Sequence, residues 1–188
     1  MNVIDKERLS AWKYNVTDEY KSRSVEEIKK DLRSKAHPFA VLMEHWKGDF
    51  NISTMIRNAN AFNASQVFYI GRKRFDRRGT VGTHHYVDLN YLSDFEELMK
   101  LKEKYVFVGL DNNLDCCVPM ETFEWPDNAL MIFGEEGEGI SPLLLKECAY
   151  CVNIPQYGSV RSLNVGTSSG IAMYDWIQKT YAIQNRRK

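Results

Sequence analysis

The chain has no long hydrophobic run. Among its 188 residues no apolar run approaches the length needed to span a bilayer. The first residues, Met1 to Leu9, are charged and carry no signal-peptide apolar region. Cysteine is scarce, at 4 residues. Cys116 and Cys117 are adjacent, and Cys148 and Cys151 form a lone C-x-x-C, so the second ligand pair of a zinc site is missing. The expectation is buried thiols, no metal and a cytoplasmic protein. Net charge is absent too: Lys plus Arg number 25 and Asp plus Glu number 25. Any contact with a polyanion must therefore come from a local patch. Internal repeats, long linkers and low-complexity segments are also missing.

What is present is a hydrophobic fraction of 44% over a length suited to one domain with a substantial core. Residues 1–36 are polar and charged and read as an N-terminal helical extension. Within it, Ser24-Val25-Glu26-Glu27 is a capping box, with Val25, Ile28 and Leu32 on one face. From residue 37 to 185 short apolar strands alternate with helices. Strands are predicted over Phe39 to Met43, Gln66 to Ile70, near Tyr86 to Leu89, Tyr105 to Leu110, Ala129 to Phe133 and Tyr150 to Ile154. Helices are predicted over Ile52 to Phe62, after the Ser93-Asp94 cap, over Ser141 to Glu147 and from Gly166 to Gln184. A basic tail, 186–188, closes the chain. This alternation implies an α/β fold with a mostly parallel sheet flanked by helices.

In such sheets, ligands bind outside the carboxyl ends of the strands. Three loops fall there: Gly109-Leu110-Asp111, Gly134 to Gly139, and Gln156 to Asn164. The loop Gly134-Glu135-Glu136-Gly137-Glu138-Gly139 allows close backbone approach but fits neither nucleotide fingerprint. Pro142 stands where a dinucleotide loop would carry its third glycine, and no Gly-Lys-Ser or Gly-Lys-Thr is present. Its carboxylates would repel a pyrophosphate and suit a neutral or cationic ligand. Asn51 reads locally as a helix N-cap and Arg57 as a surface cation. Arg72, Lys73, Arg74, Arg77 and Arg78 surround Phe75 in a basic loop, followed by His84 and His85. By itself this loop reads as solvated charge.

Taken together, three segments resemble the motifs of the SpoU-like 2′-O-ribose RNA methyltransferases of the SPOUT superfamily. The first runs from Asn51 through Arg57 to Ala61-Phe62. The second is Gly134, Glu136, Gly139 and Ile140. The third is Ile154-Pro155 with Ser162-Leu163-Asn164-Val165. The resemblance covers roughly residues 38–182. The chain departs from the family pattern at Glu135 and in the polar run Gly166-Thr167-Ser168-Ser169.

The resemblance implies a trefoil-knotted α/β domain, S-adenosylmethionine as cofactor, a homodimer and an RNA substrate. The substrate is expected to be tRNA, at a D-loop guanosine, with rRNA as the alternative. A knotted RNA-binding protein without catalysis is a further reading, opposed by the intact motifs. By the same resemblance, backbone around Leu110, Gly134, Gly139, Ile154, Ser162 and Leu163 holds the cofactor. Arg57 acts on the ribose hydroxyl, and Asn51, Glu136, Ser162 and Asn164 orient it. Glu136 either pairs with Arg57 or only fixes its own loop. The basic loop gains a role at the RNA cleft, with Phe75 stacking on an unpaired base.

Overall fold

The computed structural model describes residues 16–45 and 48–182. Residues 1–15 of the N-terminal extension and the basic tail lie outside the described residues. Seven strands form one sheet: β1 (His37–Glu44), β2 (Ala64–Ile70), β3 (Leu89–Leu92), β4 (Val106–Leu110), β5 (Val118–Pro119), β6 (Ala129–Phe133) and β7 (Tyr150–Asn153). Their order is β3-β2-β1-β6-β4-β7-β5, and all pairs are parallel. The fold class is the α/β arrangement expected from the sequence.

Among the described residues five α-helices flank the sheet: α1 (Val25–Ser34), α2 (Asp49–Ala61), α3 (Phe95–Lys100), α4 (Pro142–Leu145) and α5 (Val165–Trp176). A π-helical segment, Ile177–Ala182, continues α5. No helix among the described residues is long and apolar enough to cross a membrane.

Side chains alternate across a strand, so the sheet has two apolar faces. Phe39, Val41 and Met43 of β1 pack with Ile52, Met55 and Ile56 of α2 and with Ala172, Met173 and Trp176 of α5. Ala40 and Leu42 face the other way, towards Leu98 of α3, Phe107 of β4 and Leu144 of α4. Burial on both faces explains why β1 and β6 read as unbroken apolar runs. Each large side chain fully buried here contributes about 1.5–3 kcal/mol.

Helices α2 and α5 approach closely because α5 begins with small residues. A Cβ on Gly166 would lie 2.9 Å from Thr54, and one on Gly170 would lie 3.1 Å from Asn58 Nδ2. Asn58 Nδ2 instead donates to the Gly166 carbonyl (2.9 Å) and to Ser169 Oγ (3.0 Å). The polar run after Asn164 thus satisfies a buried amide at a helix crossing. At the other end of the molecule the capping box of α1 is formed as expected. Arg33 then docks α1 by a bidentate bond to Asp88, ahead of β3 (Nε–Oδ2 2.7 Å, Nη2–Oδ1 2.5 Å).

Several elements differ from expectation. Helix α2 starts at Asp49, with Gly48 (φ 71°) as its N-cap, so Asn51 is not a cap but a buried first-turn residue. Asp49 suits the positive end of the helix dipole and takes the start three residues earlier than Ile52. The strand expected near Tyr86 lies at Leu89–Leu92, because Thr83–His85 closes a 3-10 turn. Helix α4 is shorter than predicted, with Ser141 as its N-cap. The two-residue edge strand β5 was not predicted. Its pairing with β7 (Val118 opposite Val152) brings Cys117 to Cys151, Cα to Cα 4.5 Å, and the two form a disulfide. That corrects the expectation of four thiols. Cys148 remains a largely buried thiol, whereas Cys116 is exposed.

Candidate functional site

Because all strands are parallel, the carboxyl ends of β1, β6, β4 and β7 lie side by side. Each opens into a loop that carries chemistry. After β6 the chain reverses at once: Glu135 and Gly139 exchange backbone hydrogen bonds (3.0 and 2.9 Å). Gly134 sits so close to the returning strand that a Cβ there would lie 2.0 Å from the Gly139 carbonyl carbon. Gly139 adopts φ 74°, in the region that favours glycine. The loop is then pinned from β1. The buried Glu44 carboxylate accepts from Ser141 N–H (2.7 Å) and Ser141 Oγ (2.5 Å). Two donors thus satisfy the oxygens of a carboxylate that the fold takes out of water.

At the N-terminus of α5, Asn164 does three things. Its Oδ1 accepts from Thr167 N–H (3.1 Å) and caps the helix. Its Nδ2 donates to Asn51 Oδ1 (2.8 Å) and to Glu136 Oε1 (2.7 Å). One amide therefore ties together the three segments singled out in the sequence. Asn51 is buried beneath it.

Between these loops lies an open cleft of about 840 Å³. Leu110, Gly134, Glu136 and Gly139 line it, as do Ile154, Ser162, Leu163 and Asn164. Its charged lining is Asp111, Glu135, Glu136 and Glu138 against the single cation Arg161. Such a wall repels a polyphosphate and suits a ligand with positive groups and one carboxylate. Asn112 and Arg161 were not singled out in the sequence; their neighbourhood is set by strand pairing and not by a local motif.

Arg57 stands apart. It is exposed on α2, does not line the cleft, and has no hydrogen bond or ion pair among the described residues. A pair with Glu136 is absent from the observed bonds, since Glu136 is held by Asn164. The reason is helical geometry: Arg57 is between one and two turns past Asn51 and so faces elsewhere.

The basic loop after β2 is braced against α2. Asp49 accepts from Asp76 N–H (2.8 Å) and pairs with Arg72 (3.2 Å). Arg78 pairs with Asp76 (2.5 Å) and holds that carboxyl below the usual range. Arg74 and Arg77 carry no ion pair among the described residues. Phe75 is half-buried and packs against the core, edge to face with Tyr69 at 5.8 Å. Its hydrophobic area is worth more against the core than in solvent. His84 is likewise drawn in, with Nδ1 2.6 Å from Thr80 Oγ1. Burial, then His85 and Arg77, lowers its pKa, so it is neutral at physiological pH.

This geometry has counterparts among known proteins. The model of the SpoU rRNA Methylase family matches residues 38–174. The tRNA (guanosine(18)-2'-O)-methyltransferase of Saccharomyces cerevisiae is 33% identical over 78 residues, 41% of this chain and 5% of that protein. The A. aeolicus TrmH/SpoU tRNA modifying enzyme shares the fold with a TM-score of 0.74 at 21% identity, covering 85% of this chain and 86% of that one. The SpoU methyltransferase AviRb from Streptomyces viridochromogenes, in complex with AdoMet, gives a TM-score of 0.68 at 25% identity over 76% of this chain and 58% of its own. The chain thus spans only a small part of the yeast protein and little more than half of AviRb. With a family match over most of its length and the family's three motifs joined at one cleft, the chain belongs to the SpoU methylase family.

Proposed function

We propose that this protein transfers a methyl group from S-adenosylmethionine to a ribose 2′-hydroxyl in RNA. The observation that carries the proposal is the double donation of Asn164 to Asn51 and Glu136 at the wall of the cleft. It joins the three family motifs into one unit and leaves the cleft itself free for a ligand. The residues fit the cofactor: the acidic wall suits its sulfonium and ammonium groups, Arg161 its carboxylate, and the glycines at 134 and 139 its close backbone contacts. When bound, S-adenosylmethionine supplies a methyl group on a good leaving group.

The chain's own residues then position and stabilise. Glu136, fixed by Asn164, holds its loop against the cleft. A guanidinium has no acceptor to offer, so no base role is given to Arg57. Exposed and without an ion pair among the described residues, it is suited to grip the phosphate beside the target ribose and to stabilise the charge that develops on the 2′-oxygen as the hydroxyl proton passes to that phosphate or to solvent water. Holding hydroxyl, methyl and sulfur in line accounts for much of the rate. Arg74 and Arg77 supply unpaired cations for the RNA backbone.

We place tRNA, at a D-loop guanosine, ahead of rRNA as substrate, on the names of the yeast and A. aeolicus relatives. We also place the protein as a homodimer, supported by the exposed Ile171, Tyr174 and Tyr181 along α5 and its continuation.

The test is incubation of the purified protein with labelled S-adenosylmethionine and total RNA, separation of tRNA from rRNA, and digestion to nucleosides. A 2′-O-methylguanosine in the tRNA fraction is the expected result. Label confined to rRNA replaces the substrate. No label, with cofactor still bound, favours a protein that only binds RNA.

A further inference from the structure

The main-chain ladder between β4 and β7 ends at Leu110 opposite Val152, with Asp111 N–H donating to the Val152 carbonyl (3.1 Å). Beyond that rung the strands part at the mouth of the cleft. Ile154 would be left with an unpaired N–H and C=O, and the next residue, Pro155, has no N–H to donate. Asn112 fills both needs. Its Nδ2 donates to the Ile154 carbonyl (3.0 Å), and its Oδ1 accepts from Ile154 N–H (3.1 Å). One planar amide thus stands in for a further sheet rung, and both residues line the cleft.

The preceding residue ties the same turn to the opposite wall. The Asp111 carboxylate accepts from Asn113 N–H (2.8 Å) and lies so near Gly139 that a Cβ there would be 2.7 Å from Asp111 Oδ2. From Ile154 onward the segment to Ser162 is largely exposed, held by little except Gln156 Nε2 to the Arg161 carbonyl (3.4 Å) and Tyr157 OH to Glu121 (3.0 Å).

We propose that Asn112 is a positioning residue for cofactor binding: its amide fixes the Ile154 main chain and thereby the Ile154-to-Asn164 wall of the cleft. The proposal rests on S-adenosylmethionine being the ligand of that cleft. Among side chains of this reach only asparagine offers one donor and one acceptor together. An ionised aspartate offers two acceptors and faces the Ile154 carbonyl with like charge.

The test uses the full chain and the variants Asn112→Ala and Asn112→Asp. For Asn112→Ala, KM for S-adenosylmethionine rises about tenfold while kcat stays within about twofold. Asn112→Asp binds the cofactor weakly near pH 8. It recovers relative to wild type as the pH falls to about 4, where the carboxyl becomes protonated and regains an O–H donor beside its acceptor. Wild type shows no such recovery. Hydrogen exchange of the Ile154 amide, followed by NMR without cofactor, is fast in Asn112→Ala and protected in wild type.

An aspartate variant whose pH profile follows wild type, or an Ile154 amide equally protected in Asn112→Ala, overturns the proposal. A wild-type chain that binds no S-adenosylmethionine overturns the cofactor reading instead, and with it the role given to Asn112. The exchange experiment then still reports separately whether the amide anchors Ile154.

Discussion

Asn51 and Asn164 stand 113 positions apart in the chain and share a hydrogen bond of 2.8 Å. The bond joins the first turn of α2 to the cap of α5, so neither helix sets the site without the other. Asn164→Asp separates the two jobs of the residue. An aspartate oxygen still caps Thr167, but both Nδ2 donations are lost and a carboxylate faces Glu136. The variant should lose no more than about 4 °C in Tm. Its affinity for S-adenosylmethionine should fall about tenfold or more. Calorimetry of binding and of unfolding checks both; an unchanged affinity would remove the network from the site.

Gly134→Ala puts a methyl group where the Gly139 carbonyl already lies, 2.0 Å away. Neither partner is a flexible side chain, so the hairpin must open. A cost of about 1–3 kcal/mol is expected from overpacking alone. Circular dichroism should show a folded protein of lower Tm, and cofactor binding should drop below detection.

Arg57→Ala removes a side chain that touches neither the cleft nor Asn164. Cofactor affinity should therefore stay within about twofold, while methyl transfer falls about 100- to 1,000-fold. Single-turnover rates against a binding isotherm separate these. Loss of cofactor binding would place Arg57 in the cleft.

The basic loop divides into paired and unpaired cations. Arg72 and Arg78 already pair with Asp49 and Asp76, whereas Arg74 and Arg77 carry no ion pair among the described residues. Neutralising Arg74 and Arg77 should flatten the salt dependence of RNA binding by about one unit of slope per charge. Neutralising Arg72 and Arg78 should flatten it less, and Arg72→Ala should also lower Tm by loosening the brace on α2. Equal slopes for the two pairs would contradict the division.

The two free thiols should react very differently. Burial, with Glu44 close by, pushes the Cys148 thiol up to about 12, whereas Cys116 is exposed. At about pH 8 an alkylating reagent should label Cys116 within minutes and leave Cys148 intact, since the thiolate is the nucleophile. The linkage has a sign. The folded state holds this proton more tightly than the unfolded chain, so its contribution to stability is complete below about pH 8.5 and is lost as pH rises towards the folded value. Labelling followed by mass spectrometry, together with denaturation curves across that range, tests both statements.

The sheet and the loops that line the cleft were legible because their signals are local. Short apolar strands alternate with helices along the sequence, and the glycines at 134, 137 and 139 follow a strand end and allow close backbone approach. What stayed hidden was long-range. Asn51 looked like a cap, because a polar residue at a helix start has that default role; its true partner lies on another helix. Phe75 looked like a stacking ring among arginines, and only the fold puts Tyr69 within reach. Asn112 gave no signal, since its partners are main-chain groups that any residue at position 154 would supply except a proline. The Cys117–Cys151 pairing depended on a strand of two residues, one of them proline, which periodicity cannot detect.

That disulfide closes a covalent ring across a separation of 34 residues, and the Gly134–Gly139 reversal lies inside it. A ring of this size restricts the unfolded chain by about 3–4 kcal/mol in the chain-entropy account. It is a large share of the stability of a typical domain. The thiol–disulfide balance of the surroundings is therefore a variable of the folding equilibrium itself. A single peptide cleavage inside the ring would leave the two pieces joined until a reductant parts them.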